Sequence, residues 1–279
     1  MSIRVEKTDD PAQAFRTCRD HLLARPVEHN LALTILHERM ARPHPGHYWW
    51  ALDGDQVRGY AWRSPTTFIA GLTPMPVEAA RALAATISQD APDLPGLVAE
   101  AATAAAFAGA WTELRATGAS PSEGQRIYQL DRVEPLPVPR GHLRVAERAD
   151  GDLLISWMHA FGAETGGGGG TPDLEATVRR RIDDGLLSVW DDDGPAATAM
   201  VAPPVAGACR VGFVYTDPAR RRRGYAQALV AAVSEQALAG GATTCLLYTQ
   251  LANATSNSIY RRIGYRAVGE VLRYSFAAR

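Results

Sequence analysis

The sequence predicts an α/β protein built from two similar halves, and three observations carry that expectation. Residues 209–249 read as strand, turn, helix, strand, the unit that joins two parallel strands by a crossover. A proline-rich stretch, VEPLPVPRG (133–141), lies near the middle of the chain. Each half then repeats one order of elements: a tryptophan-bearing apolar run, an Asp-Gly turn, a second run and an amphipathic helix.

In the first half, YWWALDGDQVRGYAW (48–62) reads as a β-hairpin and PVEAARALAATI (76–87) as the helix after it. The alternating prolines of 133–141 block helix and favour extended backbone, which places domains at 1–135 and 140–279. TGGGGGTP (165–172) reads as a mobile surface loop, since five glycines are costly to order. In the second half, LLSVWDDDGPAATAMV (186–201) reads as a hairpin and CRVGFVYT (209–216) as a strand that Asp217-Pro218 ends. Ala226, Leu229, Val230, Val233 and Ala237 share one helix face, and Gly240-Gly241 stops that helix. TTCLLYT (243–249) suits a buried strand. A short helix over 254–263 ends at Gly264, and YRAV with LRYSF reads as a closing hairpin.

Composition narrows the function. The 279 residues are 46% hydrophobic and 21% charged with a net charge of −1, which argues against nucleic acid as the partner. Cys18, Cys209 and Cys245 are far apart and form no CxxC or Cys/His cluster, so no metal site is expected and reduced, buried thiols are. MSIRVEKTDD has no apolar stretch of a signal peptide, and the alanine-rich AEAATAAAFAGAW (99–111) is too short and interrupted to span a bilayer. The expectation is a cytoplasmic protein with no membrane partner. Nothing in the sequence specifies an oligomeric state.

The stretch RRRRGYA (220–226) admits two readings, a basic patch or a turn feeding a helix. The second has a mechanism. The first N–H groups of a helix lack intrahelical partners, the dipole adds positive potential, and a glycine with a small residue lets a ligand approach the backbone. The result is an anion cradle.

VYTDPARRRRGYAQAL followed by LYTQLANATSNSIYRRIGYRAVGE resembles the GNAT superfamily of acyl-CoA-dependent N-acetyltransferases, in its tandem form with a degenerate first half. The resemblance rests on Arg221-x-x-Gly224-x-Ala226 and on Asn253 with Tyr260-x-x-x-Gly264-Tyr265, and covers about residues 210–266. It implies two tandem domains, each a central mixed sheet flanked by helices. It also implies acetyl-CoA as the acyl-donor cosubstrate. Val214, Tyr215 and Thr216 would bond the pantetheine arm through main chain. Arg221 opens the motif, and the backbone of Arg222, Arg223, Gly224, Tyr225 and Ala226 would hold the pyrophosphate with Gln227 close by. Asn253 would contact the pantetheine or its loop, and Tyr260 would protonate the departing thiolate.

Plainer roles stand beside these. The arginines could form a solvated loop, Tyr260 could be a packed aromatic, Asn253 a helix cap and Gly264 a helix stop; VRRRIDD (178–184) reads as a solvated helix face. The sequence also departs from the family. Gly212 stands where many members carry a glutamate base, which leaves His159 and Glu164 in WMHAFGAETG as candidates and Glu270 as a weaker one. In the first half, GLTPMPVEAARAL (71–83) has no cradle motif, and Pro74 and Pro76 remove two donors. The expected activity is acetyl transfer to an amine on a small molecule, by direct attack. A protein lysine or N-terminus as acceptor, and an acyl-CoA sensor without turnover, are the alternatives.

Overall fold

The computed structural model describes residues 3–122, 124–165 and 173–277; the glycine run 166–170, expected as a surface loop, lies outside them. The chain forms two compact units. One comprises Met1–Ile127, Gln250–Ala252 and Val268–Arg279, the other Tyr128–Thr249 and Asn253–Ala267.

In the first unit, β1 (Ile3–Thr8), α1 (Pro11–Ala24), α2 (Asn30–Ala41), β2 (His47–Asp53), β3 (Gln56–Arg63) and β4 (Ala70–Leu72) precede α3 (Val77–Asp90), β5 (Gly96–Glu100), α4 (Ala101–Arg115) and β6 (Ala119–Pro121). The Asp10 side chain starts α1 by accepting from the Ala12 N–H at 2.8 Å, with Pro11 preset for the first helical position. The hairpin expected over 48–62 is β2–β3, closing from His47↔Arg63 to Asp53↔Gln56. Strands β1 to β4 are antiparallel in sequence order and β5 adds parallel to β4. Ala80, Leu83 and Ile87 of α3 and Phe107 and Trp111 of α4 pack in the core of this sheet.

In the second unit, Tyr128–Leu130 of β7 (Gln125–Leu130) is followed by β8 (His142–Val145), α5 (Gly151–Thr165), α6 (Leu174–Asp183), β9 (Leu187–Asp191), β10 (Pro195–Val201), β11 (Ala208–Thr216), α7 (Tyr225–Ala239), β12 (Thr244–Gln250) and α8 (Ala254–Ile263). Strands β8 to β11 are antiparallel neighbours, and β12 lies parallel to β11, as the crossover reading expects. Leu229, Val230 and Val233 of α7 are buried, while Ala226 and Ala237, at the edges of the same face, are half-buried. On α6 only Thr177, Val178 and Ile182 are buried, which leaves its arginines on the solvated face.

The closing hairpin is not formed. Arg266–Phe276 is one strand, β13, because Gly269 keeps an ordinary φ and nothing turns the chain there. Its later part pairs antiparallel with β5, from Val271↔Glu100 to Ser275↔Gly96, and with β6. Phe276 completes the first core by stacking on Trp111, ring centroids 4.8 Å apart. Trp111→Ala removes a ring that is 2% exposed, and is expected to cost the first unit about 3–5 kcal/mol in urea unfolding.

Candidate active site

The site begins with an irregularity in β11. Thr216 and Tyr215 pair with Ala197 and Thr198 of β10, and Gly212 and Val211 pair with Met200 and Val201, so two residues, Phe213 and Val214, oppose Ala199 alone. This is a β-bulge, and Phe213 takes the left-handed φ of 46° that it needs. On the other edge β11 pairs with β12 only through Ala208↔Thr244, Cys209↔Cys245 and Arg210↔Leu246. Beyond those rungs the two parallel strands part, and main-chain groups of Val211–Thr216 on that edge have no ladder partner in β12.

The chain then enters the basic turn. Asp217 caps a single 3-10 turn by accepting from the Ala219 N–H at 2.9 Å. Arg222 and Gly224 both take left-handed φ, 65° and 85°, and Gly224 is the N-cap of α7. Alternating handedness turns successive N–H groups toward one concavity, a nest for an anion. No side chain caps α7 and no acid lies in its first turn, so its positive end is neither satisfied nor neutralised. A Cβ added at Gly224 would meet only Pro139 Cγ at 3.9 Å. The backbone conformation, not crowding, reserves this position for glycine.

The four arginines sort into different tasks. Arg220 donates to the carbonyl of Asp192 at 2.7 Å and so holds the β9–β10 turn. Tyr225 is buried and its hydroxyl donates to Asp192 Oδ2 at 2.5 Å, which leaves its backbone alone available to a ligand. Arg221 donates to both carboxylate oxygens of Glu164, at 2.7 and 3.0 Å, and through Nε to the Thr216 carbonyl at 3.2 Å. Arg222 and Arg223 are exposed and make no hydrogen bond or ion pair among the described residues.

Glu164 reaches this cluster because Trp157, Phe161 and Glu164 share one face of α5 at i, i+4 and i+7. Trp157 lies 5.9 Å from the Tyr215 ring and Phe161 meets Phe213 edge-on at 5.3 Å. Tyr215 donates its hydroxyl to Glu164 Oε1 at 3.3 Å, and the Arg221 guanidinium stands 5.4 Å above its ring. Burial, then the Glu164 charge, raises the Tyr215 hydroxyl above its ordinary value. The structure does not bring His159 to this cluster; it lies on the exposed side of α5. Glu270 belongs to the first unit, where Arg126 binds it at 2.7 Å. At Gly212 an added Cβ would only touch Met200 Cε at 3.6 Å, so the missing carboxylate there is not a matter of space.

Tyr260 is buried on α8, 6.2 Å from Tyr128 and 6.1 Å from Tyr265. Burial pushes its hydroxyl up to about 12, against a hydrogen bond with Ser256, so it keeps its proton at neutral pH. Asn253 is the cap of α8, accepting from the Ser256 N–H at 2.9 Å. Gly264 stops the helix at φ 109°. The corresponding turn of the first unit differs. The N-cap of α3 is Pro76, and Glu78 lies in its first turn, a charge that repels anions from that helix end. Among the described residues no group of three or more His, Cys, Asp or Glu could hold a metal ion, and no helix is long and apolar enough to cross a membrane.

Parallel strands that part at a bulge, beside an uncapped helix start, can now be set beside known proteins. Residues 185–274 match the FR47-like protein family. A GCN5-related N-acetyltransferase from Sphaerobacter thermophilus superposes with a TM-score of 0.65 at 16% identity, covering 98% of this chain and 94% of that one. The chain has the GNAT fold. A GNAT-family acetyltransferase from Colwellia psychrerythraea gives a TM-score of 0.61 at 12% identity over 99% of this chain and 100% of that one. A tandem GNAT protein from the clavulanic acid biosynthesis pathway gives 0.58 at 13% over 100% and 99%. No curated protein sequence matches the chain.

Two features of this candidate site escaped the sequence reading. The left-handed Phe213 has no local signal, since bulky residues seldom adopt that φ. The pairing of Glu164 with Arg221 spans 57 positions, although the Trp157–Phe161–Glu164 spacing already marked a face that carries an acid beside aromatics. If conformation reserves Gly224, Gly224→Ala destabilises the second unit by about 1–2 kcal/mol in chemical denaturation. Gly212→Ala, at an ordinary φ, stays within about 0.5 kcal/mol.

Proposed function

We propose that the second unit binds acetyl-CoA and transfers its acetyl group to an amine, by direct attack and without a covalent enzyme intermediate. The observation that carries this reading is the uncapped start of α7, with left-handed Arg222 and Gly224, next to a strand end freed from its parallel neighbour. The donor has a pyrophosphate for the first and amides for the second. The N–H groups of Arg222 to Ala226 would take the pyrophosphate, with Gln227 close by, and Val214, Tyr215 and Thr216 would bond the pantetheine arm. A strand-end N–H would polarise the thioester carbonyl.

In the transfer, the amine nitrogen forms a bond to the acetyl carbon as the carbon–sulfur bond breaks. Tyr260, held protonated by burial, would give its proton to the leaving thiolate. Asn253, as the cap of α8, fixes the helix that carries it. The surplus proton on nitrogen needs an acceptor. Glu164 accepts from Tyr215 and Arg221 beside the strand end, and it can accept a proton only once Arg221 turns from it. An anion in the cradle competes for that guanidinium. The neutral, half-buried strand position at Gly212 favours one second reading, a unit that binds acyl-CoA without turnover. The acceptor on this proposal is a small amine, a protein amine being the alternative, in the cytoplasm, where the three unpaired cysteines stay reduced.

Thiol release from acetyl-CoA, measured across a set of amines, tests the activity. Tyr260→Phe is expected to lower kcat about 100-fold or more with CoA affinity retained, and unchanged turnover with every acceptor removes Tyr260 from the chemistry. Glu164→Gln should lower kcat by a similar factor; a change in KM alone would leave Glu164 only a positioning role. In calorimetry, Gly224→Val weakens CoA binding by about 10-fold or more, the loss of several backbone contacts, and Arg220→Ala weakens it less. Equal losses would return the stretch to a simple charge patch.

A further inference from the structure

The first unit contains a cavity of 680 Å³ beside the strand-to-helix turn that follows β4. Its position in the order strand, turn, helix, strand is that of the basic turn in the second unit, but Pro74 and Pro76 deprive it of backbone donors. Its polar groups are side chains instead. The carboxylates on its walls are already matched: Glu28 pairs with Arg25, Glu270 with Arg126, and Glu100 accepts from the Ala102 and Thr103 N–H groups at the start of α4.

The basic side is matched only in part. The Arg58 side chain makes one hydrogen bond, to Gln56 Oε1 at 3.1 Å, and no ion pair among the described residues. The His21 and His29 rings stack with centroids 4.8 Å apart. His21 Nε2 meets Thr73 Oγ1 at 3.1 Å, and His29 Nδ1 donates to the Leu22 carbonyl at 3.2 Å. His29 is 2% exposed, and its Nε2 has no partner among the described residues. A buried ring nitrogen without a partner is costly.

We propose that this cavity binds a small molecule bearing an oxyanion, carboxylate or phosphate, held by Arg58 and by the His21–His29 pair. Burial is the chief force keeping both rings neutral. On His21 the neighbouring His29, Arg25 and Arg58 add to it and bring the ring down to about 4; on His29 the further lowering charge is Arg25. The charges that lower the two rings are cationic, while the Leu22 carbonyl favours protonation of His29. An anion beside the pair favours the protonated ring, so binding takes up protons and affinity rises as pH falls toward the His21 range, about 4 in the free protein. In the free protein the sign is opposite for stability. His21 binds its proton less readily folded than unfolded, so the first unit weakens as pH falls from 6.5 toward about 4.

The test is an NMR titration of the histidine rings in the full chain, with inorganic phosphate or succinate against chloride at equal ionic strength. At least one probe is expected to raise the His21 midpoint by about one pH unit. Arg58→Gln abolishes the rise, and Arg58→Lys keeps part of it and shows that the fold tolerates change there. The ring signal reports on the first unit alone, so phosphate captured by the basic turn of the second unit does not register, and the result is independent of the acetyl-transfer reading. No movement with either probe, or equal movement in Arg58→Gln, overturns the proposal.

Discussion

The second unit depends on a sheet that stops pairing part-way along its length. After Arg210 and Leu246 the parallel ladder between β11 and β12 ends, and the bulge at Phe213 and Val214 redirects β11. An unpaired strand edge inside a fold is ordinarily a fault, because main-chain donors and acceptors go unsatisfied. On the proposed reading the same groups bond the pantetheine arm of the donor. The left-handed Phe213 is the local cost of that geometry, and its edge-on contact with Phe161 holds it in place.

Around this edge the side chains act mainly on one another. Arg220 and Tyr225 both end on Asp192, so the β9–β10 turn and the start of α7 are tied together. Arg221 is divided between Glu164 and Thr216. What faces solvent is backbone N–H and two arginines, and the field there is positive without being a continuous basic stripe. This reconciles a chain whose net charge is −1 with four arginines in a row.

Much of this was legible in the sequence for a simple reason: the cradle, the two hairpins, α7 and α8 are local, written in turn residues, caps and period. Strand and helix limits around 209–263 fall within a residue or so of those expected. Long-range matters were less legible. YRAV and LRYSF, read as a hairpin, form one strand, since its partner β5 lies more than 160 positions earlier and no local turn marks the difference. His159 and Glu164 looked equivalent as ionisable groups on one helix. Only the packing of Trp157 and Phe161 decides that one faces Arg221 and the other water.

The position of β13 has a consequence for how the chain comes to be folded. Ordinarily a ribosome releases an N-terminal domain that can close on itself while the rest is still being made. In this protein the edge of β5 and the face of Trp111 wait for Val271–Phe276, which are translated more than 160 positions later. The first unit is therefore completed only after the residues of the second unit have been made. Until those residues emerge, it carries an open sheet edge and an uncovered tryptophan, the kind of surface that chaperones hold.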